Sequence, residues 1–287
     1  MAREISTLVP WFGSNRTLAH HVGAQLAGCG WVGVPFAGGM SEVKHITART
    51  VVVGDKHRHL INLASVVAHP TLGPQLIRRL RRWAFHEDGL RAAQERCRAR
   101  QVPGTPADAD LVQWAEDYFV CAWMGRSGVS GTDGEFRGGL AVRWDAGGGD
   151  SATRFRHAVE ALRDWRRVFP RCSFVVRDCF EFLKDVKDQP GIGVYCDPPW
   201  PSDGDKYVHK FTERQQRDLA AVLTGYTQAR VVVRYGDHPL IRELYPEPHW
   251  RRLSLTGRTQ ANKGKAEVLL VNGEPRPEPA NGAGDAA

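Results

Sequence analysis

Short apolar runs alternate with amphipathic segments in the first seventy residues, as in an α/β fold. Apolar positions three and four apart predict helices, and brief apolar runs that end at glycine or a polar residue predict buried strands. The predicted order is a helix over 17–26, a strand over 31–36, a strand over 49–54 and a helix over 56–67. Strands that alternate with helices in this way favour a parallel sheet.

The same alternation resumes near residue 172 and continues almost to the carboxyl end. The predicted elements are strands over 172–176, 192–196 and 230–235, helices over 180–186, 212–223 and 239–244, and closing strands over 250–255 and 265–271. A basic polar turn joins the two closing strands, as in an antiparallel edge pair. Residues 273–287 are rich in Pro, Gly and Ala, and we expect them to be disordered;.

Between these two parts the pattern changes for about a hundred residues. Helices are predicted over 75–85, 89–100 and 110–123. Residues 125–149 are rich in glycine and show no clear hydrophobic period. Ser151 is expected to cap a further helix that reaches Val168;. So long an interruption favours an inserted module over a structureless loop. The predicted organisation is therefore one domain made of residues 1–70 and 172–272, with an inserted module over 71–171.

Composition narrows the class of protein. The chain has 287 residues, 42% of them hydrophobic, with a formal net charge of +7 carried mainly by arginine. The sequence has no run of transmembrane length, and residues 1–10 lack a signal-peptide pattern, so we expect a cytoplasmic protein of a bacterium or phage without a membrane partner. The six cysteines form no CxxC pairs, so we expect them to be free thiols in a reducing compartment;. The sequence predicts no metal site. The positive charge permits a polyanionic partner.

The most unusual stretch is a strand that ends in an acid, two prolines and an aromatic residue. Residues 192–196 are apolar, and Asp197, Pro198, Pro199 and Trp200 follow directly. Prolines cannot donate to a sheet ladder, so the strand must stop there, and their fixed φ angles make a rigid turn. In open α/β sheets the carboxyl end of a strand is where ligands bind.

A glycine turn and an acid suggest a nucleoside cofactor. The first predicted strand ends at Phe36, and a turn with Gly38 and Gly39 follows it. Glycines in this turn permit the backbone to approach a ligand closely;. Asp55 ends the second strand, where an acid accepts hydrogen bonds from ribose hydroxyls; favourable placement near a helix dipole is the simpler alternative. The dinucleotide pattern GxGxxG is absent, which argues against NAD.

In sequence order, these motifs resemble the Dam-like family of adenine-specific DNA methyltransferases. The matching pieces are Pro10-Trp11-Phe12-Gly13-Ser14-Asn15-Arg16, Pro35-Phe36-Ala37-Gly38-Gly39, Gly54-Asp55 with Leu60-Ile61-Asn62, Asp178-Cys179-Phe180, Asp197-Pro198-Pro199-Trp200 and the closing segment 265–272. The resemblance covers about residues 8–70 and 172–272. It implies a Rossmann-like class I methyltransferase sheet, and a mainly helical DNA-recognition module inserted over 71–171.

The resemblance also implies S-adenosylmethionine as methyl donor and assigns roles to individual positions. The cofactor-binding residues would be Trp11, Asn15, Phe36, Gly38, Asp55, Asp178, Phe180 and Asp197. Many members have a lysine at the position of Asn15, and a glycine at that of Met40. Phe180 either stacks on the donor's adenine or packs a helix onto the sheet. Asp197 and the Pro198 carbonyl would accept the two N–H bonds of the target amine, Pro199 would brace the turn, and Trp200 would stack the flipped base.

Basic side chains are the candidates for contact with double-stranded DNA. We expect Arg126, Arg137 and Arg143 to contact DNA, because base and phosphate readers favour arginine. Arg258 and Lys263, in the closing turn, are expected near the DNA backbone. Four arginines within 78–82 either track phosphates or form a solvated helix face;. We expect a monomer or weak dimer, acting in restriction-modification or as a solitary enzyme.

Three alternatives remain beside DNA adenine methylation. Cytosine N4 methylation uses a similar amine and motif, although Asp at the first motif position favours adenine. An RNA adenine methyltransferase would share the catalytic residues, although the insertion and the closing strands favour DNA. A DNA-binding relative without catalysis is the third, supported by the departures at Asn15 and Met40.

Overall fold

A seven-stranded, mostly parallel sheet with helices on both faces forms the core of the molecule, so the predicted α/β class is confirmed. A computed structural model describes residues 5–14, 18–101, 110–126, 129–144, 150–201, 206–255 and 267–276. The strands are β1 (Trp31–Val34), β2 (Thr50–Asp55), β3 (Cys172–Val176), β4 (Ile192–Cys196), β5 (Arg230–Gly236), β6 (Trp250–Leu255) and β7 (Glu267–Asn272).

The strand order is β3-β2-β1-β4-β5-β7-β6. The first five strands of this order run parallel, and β7 pairs antiparallel with both β5 and β6, as predicted for the closing strands. From β1 the chain proceeds outward to β2 and β3, then crosses back to β4 on the other side of β1. This reversal creates a switch point between β1 and β4, where open α/β sheets bind ligands at their carboxyl edge. The order is compatible with a Rossmann-like fold.

The helices lie close to the predicted positions. They are α1 (Ala19–Gln25), α2 (Arg58–Ala68), α3 (Leu72–Leu80), α4 (Glu87–Arg100), α5 (Leu111–Met124), α6 (Ser151–Val168), α7 (Cys179–Asp185), α8 (Glu213–Thr224) and α9 (Pro239–Leu244). Thr212 caps α8 through a reciprocal capping box with Gln215;. Two short 3₁₀ helices, Ser41–Lys44 and Phe169–Arg171, were not predicted.

Two helices in the middle of the chain were predicted with wrong boundaries. The helix predicted over 75–85 begins at Leu72, because Pro74 falls in the first turn, where a missing N–H costs nothing;. Its last residue is Leu80. The cap of α6 is Asp150 and not Ser151: the Asp150 carboxylate accepts the Ala152 amide at 2.8 Å, and Ser151 is the first helical residue. A carboxylate suits this position because the helix dipole favours negative charge there.

The sheet separates two hydrophobic clusters. One contains side chains of α1, α2 and α3 to α6 together with Val32, Val51 and Tyr195 of the sheet. The other contains side chains of α7, α8 and α9 with strand residues such as Val194, Val231 and Leu270. Helices of the segment 71–171 therefore share a core with the sheet, with α5 buried along most of its length. The predicted domain boundaries stay a prediction.

Candidate functional site

The carboxyl edge of the sheet carries a pocket at the switch point between β1 and β4. Its walls come from the loop 11–14, the glycine turn after β1, the ends of β2 and β3, the turn after β4, and residues 207–211. Of the residues predicted from sequence, the pocket brings together Trp11, Phe36, Gly38, Asp55, Asp178, Asp197, Pro199 and Trp200. Their convergence from distant parts of the chain defines one candidate site.

The glycine turn is fixed by Asp55. One carboxylate oxygen of Asp55 accepts the Gly38 amide at 3.3 Å, and the other accepts the His57 amide at 2.9 Å. Gly38 has φ +47° and packs under the Trp11 ring. Met40 has φ +60°, the left-handed conformation that favours glycine, while its side chain is fully buried;. Met40 thus adopts the backbone conformation that a glycine would take, at the cost of some strain.

The turn after β4 is braced by its neighbours. Gln216 on α8 donates from Nε2 to the Pro199 carbonyl at 2.6 Å and accepts the Tyr235 hydroxyl at 2.5 Å. Trp200 is 8% exposed and lies against the backbone of Gly236, where any Cβ atom would come within 2.8 Å of the indole. The indole is thus held in place with only a small part of its surface turned to the pocket.

A buried arginine on β5 binds the Asp197 carboxylate. Arg234 is 1% exposed and donates to Asp197 Oδ2 at 2.8 Å, to the Gly13 carbonyl at 3.1 Å, and to Glu267 Oε2 at 2.8 and 3.0 Å. Its guanidinium carbon lies 5.2 Å from the centroid of the Trp200 ring. Burial raises the pKa of Asp197, although the charge and hydrogen bond of Arg234 act in the opposite direction.

A second buried acid, Glu42, faces the same pocket. It lies in the 3₁₀ helix that follows the glycine turn, is 7% exposed, and accepts the Tyr195 hydroxyl at 3.4 Å. Burial, reinforced by the charge of Asp197, raises the pKa of Glu42 to about 7. Near neutral pH this end of the pocket therefore holds a carboxyl group poised between its neutral and charged forms, which suits a positively charged ligand.

The segment 129–137, within the predicted insertion, forms another wall. Trp11 bridges to Ser130, Val208 donates its amide to the Gly131 carbonyl at 2.9 Å, and Thr132 bridges to Tyr207. Gly131 has φ +81°, and a Cβ atom there would lie 2.4 Å from the Trp11 ring. The segment therefore packs directly against Trp11, which is a predicted cofactor-binding residue.

An ion pair ties the same segment to α2. His57 Nε2 lies 2.8 Å from Glu135 Oε2, and both side chains are 3% exposed. Burial lowers the pKa of His57, but the Glu135 and Asp55 charges outweigh that cost, so the pKa is raised. Because the His57 amide also donates to Asp55, and Asp55 accepts the Gly38 amide, the contact connects Glu135 to the glycine turn through His57 and Asp55.

Two predicted residues lie beside the pocket and do not line it. The Phe180 ring stacks on Phe211, with centroids 6.3 Å apart and planes 9° apart, and Phe211 is the ring that lines the pocket. Pro198 is buried within its turn. Asp178 lines the pocket but also caps α7, accepting the Phe180 amide at 2.8 Å, and pairs with Lys56 at 3.4 Å. A helix cap is a sufficient structural reason for an acid at that position.

The predicted DNA-contacting arginines lie on the surface. Arg126, Arg137 and Arg143 are exposed, and Arg137 lines a second cavity with Arg98 and Asp133. Asn15, Arg258 and Lys263 lie outside the described residues. Part of the arginine group within 78–82 is engaged in ion pairs, since Arg79 binds Glu116 at 2.6 Å and Arg81 binds Glu160 at 2.5 Å.

Several pocket residues were missed by sequence reasoning. They are Glu42, Lys56, Gly131, His209, Gln215 and, behind Asp197, the pair Arg234 and Glu267. Arg234 and Glu267 carried a detectable signal, because each is a charged residue in an otherwise apolar strand sequence. Charges buried in a strand are rarely without a partner.

Two findings on metal ligands and membrane spans concern the described residues alone. Within those residues, histidine, cysteine and acidic side chains form no group of three that could hold a metal ion. Over the same part of the chain, none of the helices combines the length and apolar character needed to cross a bilayer. All six cysteines are free, and five of them are buried.

Comparison of the chain with protein-family models and with curated proteins finds no match. The fold and the pocket define this molecule as an α/β protein with a pocket at the switch point of its sheet.

Proposed function

We propose that this chain is a DNA adenine methyltransferase, which transfers a methyl group from S-adenosylmethionine to the N6 amine of a flipped adenine in double-stranded DNA. The observation that carries the proposal is the position of the Asp197-Pro198-Pro199-Trp200 turn. It shares one pocket, at the switch point of the sheet, with the glycine turn and with Asp55. The resemblance to the Dam-like family rests on these same motifs.

The pocket residues fit the proposed donor in their chemistry. Asp55 offers a carboxylate next to a glycine turn, as a ribose requires, and Trp11 and Phe36 offer apolar aromatic surface;. Glu42 and Asp197 place two acids at the end of the pocket, where they complement the positive sulfonium and ammonium groups. When bound, S-adenosylmethionine supplies an electrophilic methyl group.

The chain's own residues would then act on the target amine. The lone pair of an exocyclic amine is delocalised into the ring, so the amine is a poor nucleophile. By the resemblance, Asp197 and the Pro198 carbonyl would each accept a hydrogen bond from one N–H of the amine and so direct its lone pair toward the methyl group. The bond from nitrogen to the methyl carbon would form as the bond from that carbon to sulfur breaks, and the nitrogen would release one proton to solvent. Catalysis would be mostly positioning and electrostatics, without a covalent intermediate.

The target base must leave the duplex before it reaches these acceptors. Flipping costs a few kcal/mol of unstacking. The pocket-facing part of Trp200 would recover some of it, within about 1–3 kcal/mol for a stacked base. The proposed DNA contacts are three exposed arginines, Arg126, Arg137 and Arg143. Trp144 follows Arg143 in sequence, and it is 93% exposed. A fully exposed indole next to arginine suits a nucleic-acid partner.

Expression in a host without DNA methylation, followed by sequencing that reports modified bases, tests the proposal. We expect N6-methyladenine at one recurring sequence. Methylation at cytosine N4, or labelling of RNA only, would replace the proposal with those alternatives. Unmodified nucleic acid together with no binding of S-adenosylmethionine in a calorimetric titration would favour a DNA-binding protein without catalysis.

Variants locate the activity in the pocket. Asp197→Ala should abolish methyl transfer while donor binding stays weakened but measurable. Asp164→Ala, which makes the same change at an exposed acid on α6, is the matched control and should transfer at the wild-type rate. Full activity of Asp197→Ala would refute the assigned mechanism.

A further inference from the structure

The contacts of Arg234 link three separated parts of the chain at the candidate catalytic acid. Its guanidinium reaches Asp197 in the turn after β4, the Gly13 carbonyl in the loop that carries Trp11, and Glu267 at the start of β7. Arg234 and Glu267 are almost completely buried, with side chains 1% and 0% exposed, while Asp197 is 20% exposed. Only the acid that faces the pocket thus retains access to a ligand.

We propose that Arg234, held from behind by Glu267, is a positioning residue that fixes the Asp197 carboxylate and keeps it in its charged form. The inference rests on the proposed function, because it assigns to Asp197 the role of hydrogen-bond acceptor for the target amine. A neutral carboxyl group would itself carry a proton and lose acceptor capacity.

The two acidic partners of Arg234 bind different nitrogen atoms of its guanidinium. Glu267 binds Nε and Nη2, and Asp197 binds Nη1, so the planar guanidinium is held at two sides. Strand β7 pairs with β5 so that Glu267 lies opposite Gly236, two residues beyond Arg234. The register of the sheet therefore sets where the guanidinium lies, and the guanidinium sets where Asp197 lies. Ionised carboxylates have about four acceptor positions, so Asp197 keeps capacity for a ligand.

Electrostatics gives the arrangement a measurable consequence. Burial raises the pKa of Asp197, the charge and hydrogen bond of Arg234 lower it, and the charge of Glu267 raises it to a smaller degree. Trp200, in the same turn, lowers it through a hydrogen bond. Glu42, from the 3₁₀ helix, faces Asp197 as a further acid. The pKa of Arg234 is reduced by burial but raised more by Asp197, Tyr195 and Glu267, so the guanidinium stays charged.

Two variants should shift the Asp197 titration in opposite directions. Arg234→Met with Glu267→Gln replaces the buried ion pair by neutral side chains of similar shape, which avoids an unpaired buried acid. Loss of the adjacent positive charge alone raises the pKa of an acid by about 1–3 units, and loss of the Glu267 charge offsets part of that, so Asp197 should titrate higher by less than this amount;. Glu267→Gln alone keeps Arg234 and removes a negative charge, so Asp197 should titrate lower than in the wild type.

The titration is read without relying on activity. Aspartate labelled with carbon-13 at Cγ is followed by NMR across pH, and the Asp197 signal is assigned by its absence in Asp197→Asn. Glu42→Gln, titrated in parallel, removes the contribution of the neighbouring acid. Circular dichroism and thermal unfolding establish that each variant is folded; if the double variant does not fold, the downward shift in Glu267→Gln decides the test.

Methyl transfer provides the second readout. In the double variant, the acid limb of kcat against pH should move upward with the Asp197 titration, while the dissociation constant for the donor changes less than kcat. An Asp197 titration that is the same in wild type and folded variants would overturn the inference. If the wild type transfers no methyl group but the titrations move in opposite directions, the proposed function fails and the electrostatic control of Asp197 stands.

Discussion

Replacing Glu42 by Gln should make the protein more stable in alkaline solution but not in acid. Burial raises the pKa of Glu42 from its ordinary value of 4.5 to about 7. Between those pH values the folded protein keeps a proton that the unfolded chain releases, so the free energy of unfolding falls as pH rises. Each pH unit of the difference corresponds to about 1.4 kcal/mol. The wild type therefore loses about 3 kcal/mol by pH 8, and Glu42→Gln should avoid that loss.

Urea unfolding followed by tryptophan fluorescence measures the effect at pH 5 and pH 8. At pH 5 glutamine still accepts the Tyr195 hydroxyl, and the unfolding free energies of the two proteins should differ by less than about 1 kcal/mol;. At pH 8 the variant should be more stable by up to about 3 kcal/mol. Glu160→Gln is the matched control: Glu160 is exposed, and Arg81 lowers its pKa, so no gain is expected. A difference between Glu42→Gln and wild type that does not change with pH would refute the reasoning.

Three further predictions follow from the walls and surface of the pocket. Gly131→Ala should cost on the order of 3 kcal/mol in unfolding free energy and weaken donor binding, because it adds a Cβ at φ +81° against the Trp11 ring;. Gly139→Ala, where a Cβ meets nothing within 4 Å, should do neither, and equal calorimetric results for the two would contradict the packing argument. Glu135→Gln should destabilise the protein most below pH 6.5 and progressively less above it. The reason is that Glu135 raises the pKa of His57, and the stability this provides is lost as the pH rises;. Thermal unfolding across pH measures the effect, and a loss of stability that does not change with pH would exclude the ion pair. Replacing Arg126, Arg137 and Arg143 together by Gln should reduce the slope of log Kobs against log salt by about 0.9 for each DNA phosphate that the variant no longer neutralises, and an unchanged slope would place DNA elsewhere.

The parallel part of the sheet could be predicted from sequence because most of its strands are short apolar runs with a clear end. Ile192–Cys196 stops at two prolines, and Thr50–Asp55 stops at an acid, so local chemistry fixes their boundaries to within a residue. The ligand edge follows from the same information, because parallel strands share their carboxyl ends. Asp55, Asp197 and the glycine turn were therefore predictable as neighbours before the fold was known.

The missed residues depend on contacts between distant segments. Arg234 and Glu267 become partners only through the antiparallel register of β5 and β7, and a sequence of alternating strands does not specify that register. Glu42 is exceptional only because the 3₁₀ helix buries it against Asp197 and Tyr195. Gly131 lies in a glycine-rich segment without periodicity, so no pattern marks it as the residue that meets Trp11.

The position of the segment 129–137 has a thermodynamic consequence for the proposed function. It packs on Trp11, contributes Gly131 to the pocket, and continues through Glu135 to His57 and the backbone that holds Asp55. Arg137 at its end is a proposed DNA contact. If a ligand in the pocket favours the seated position of this segment, then DNA bound at Arg137 must favour that ligand by the same factor, because coupling between two sites is reciprocal. Under the proposed function, a methyl donor and DNA coupled in this way would each assemble part of the site for the other. The segment 129–137 would then connect substrate recognition to catalysis.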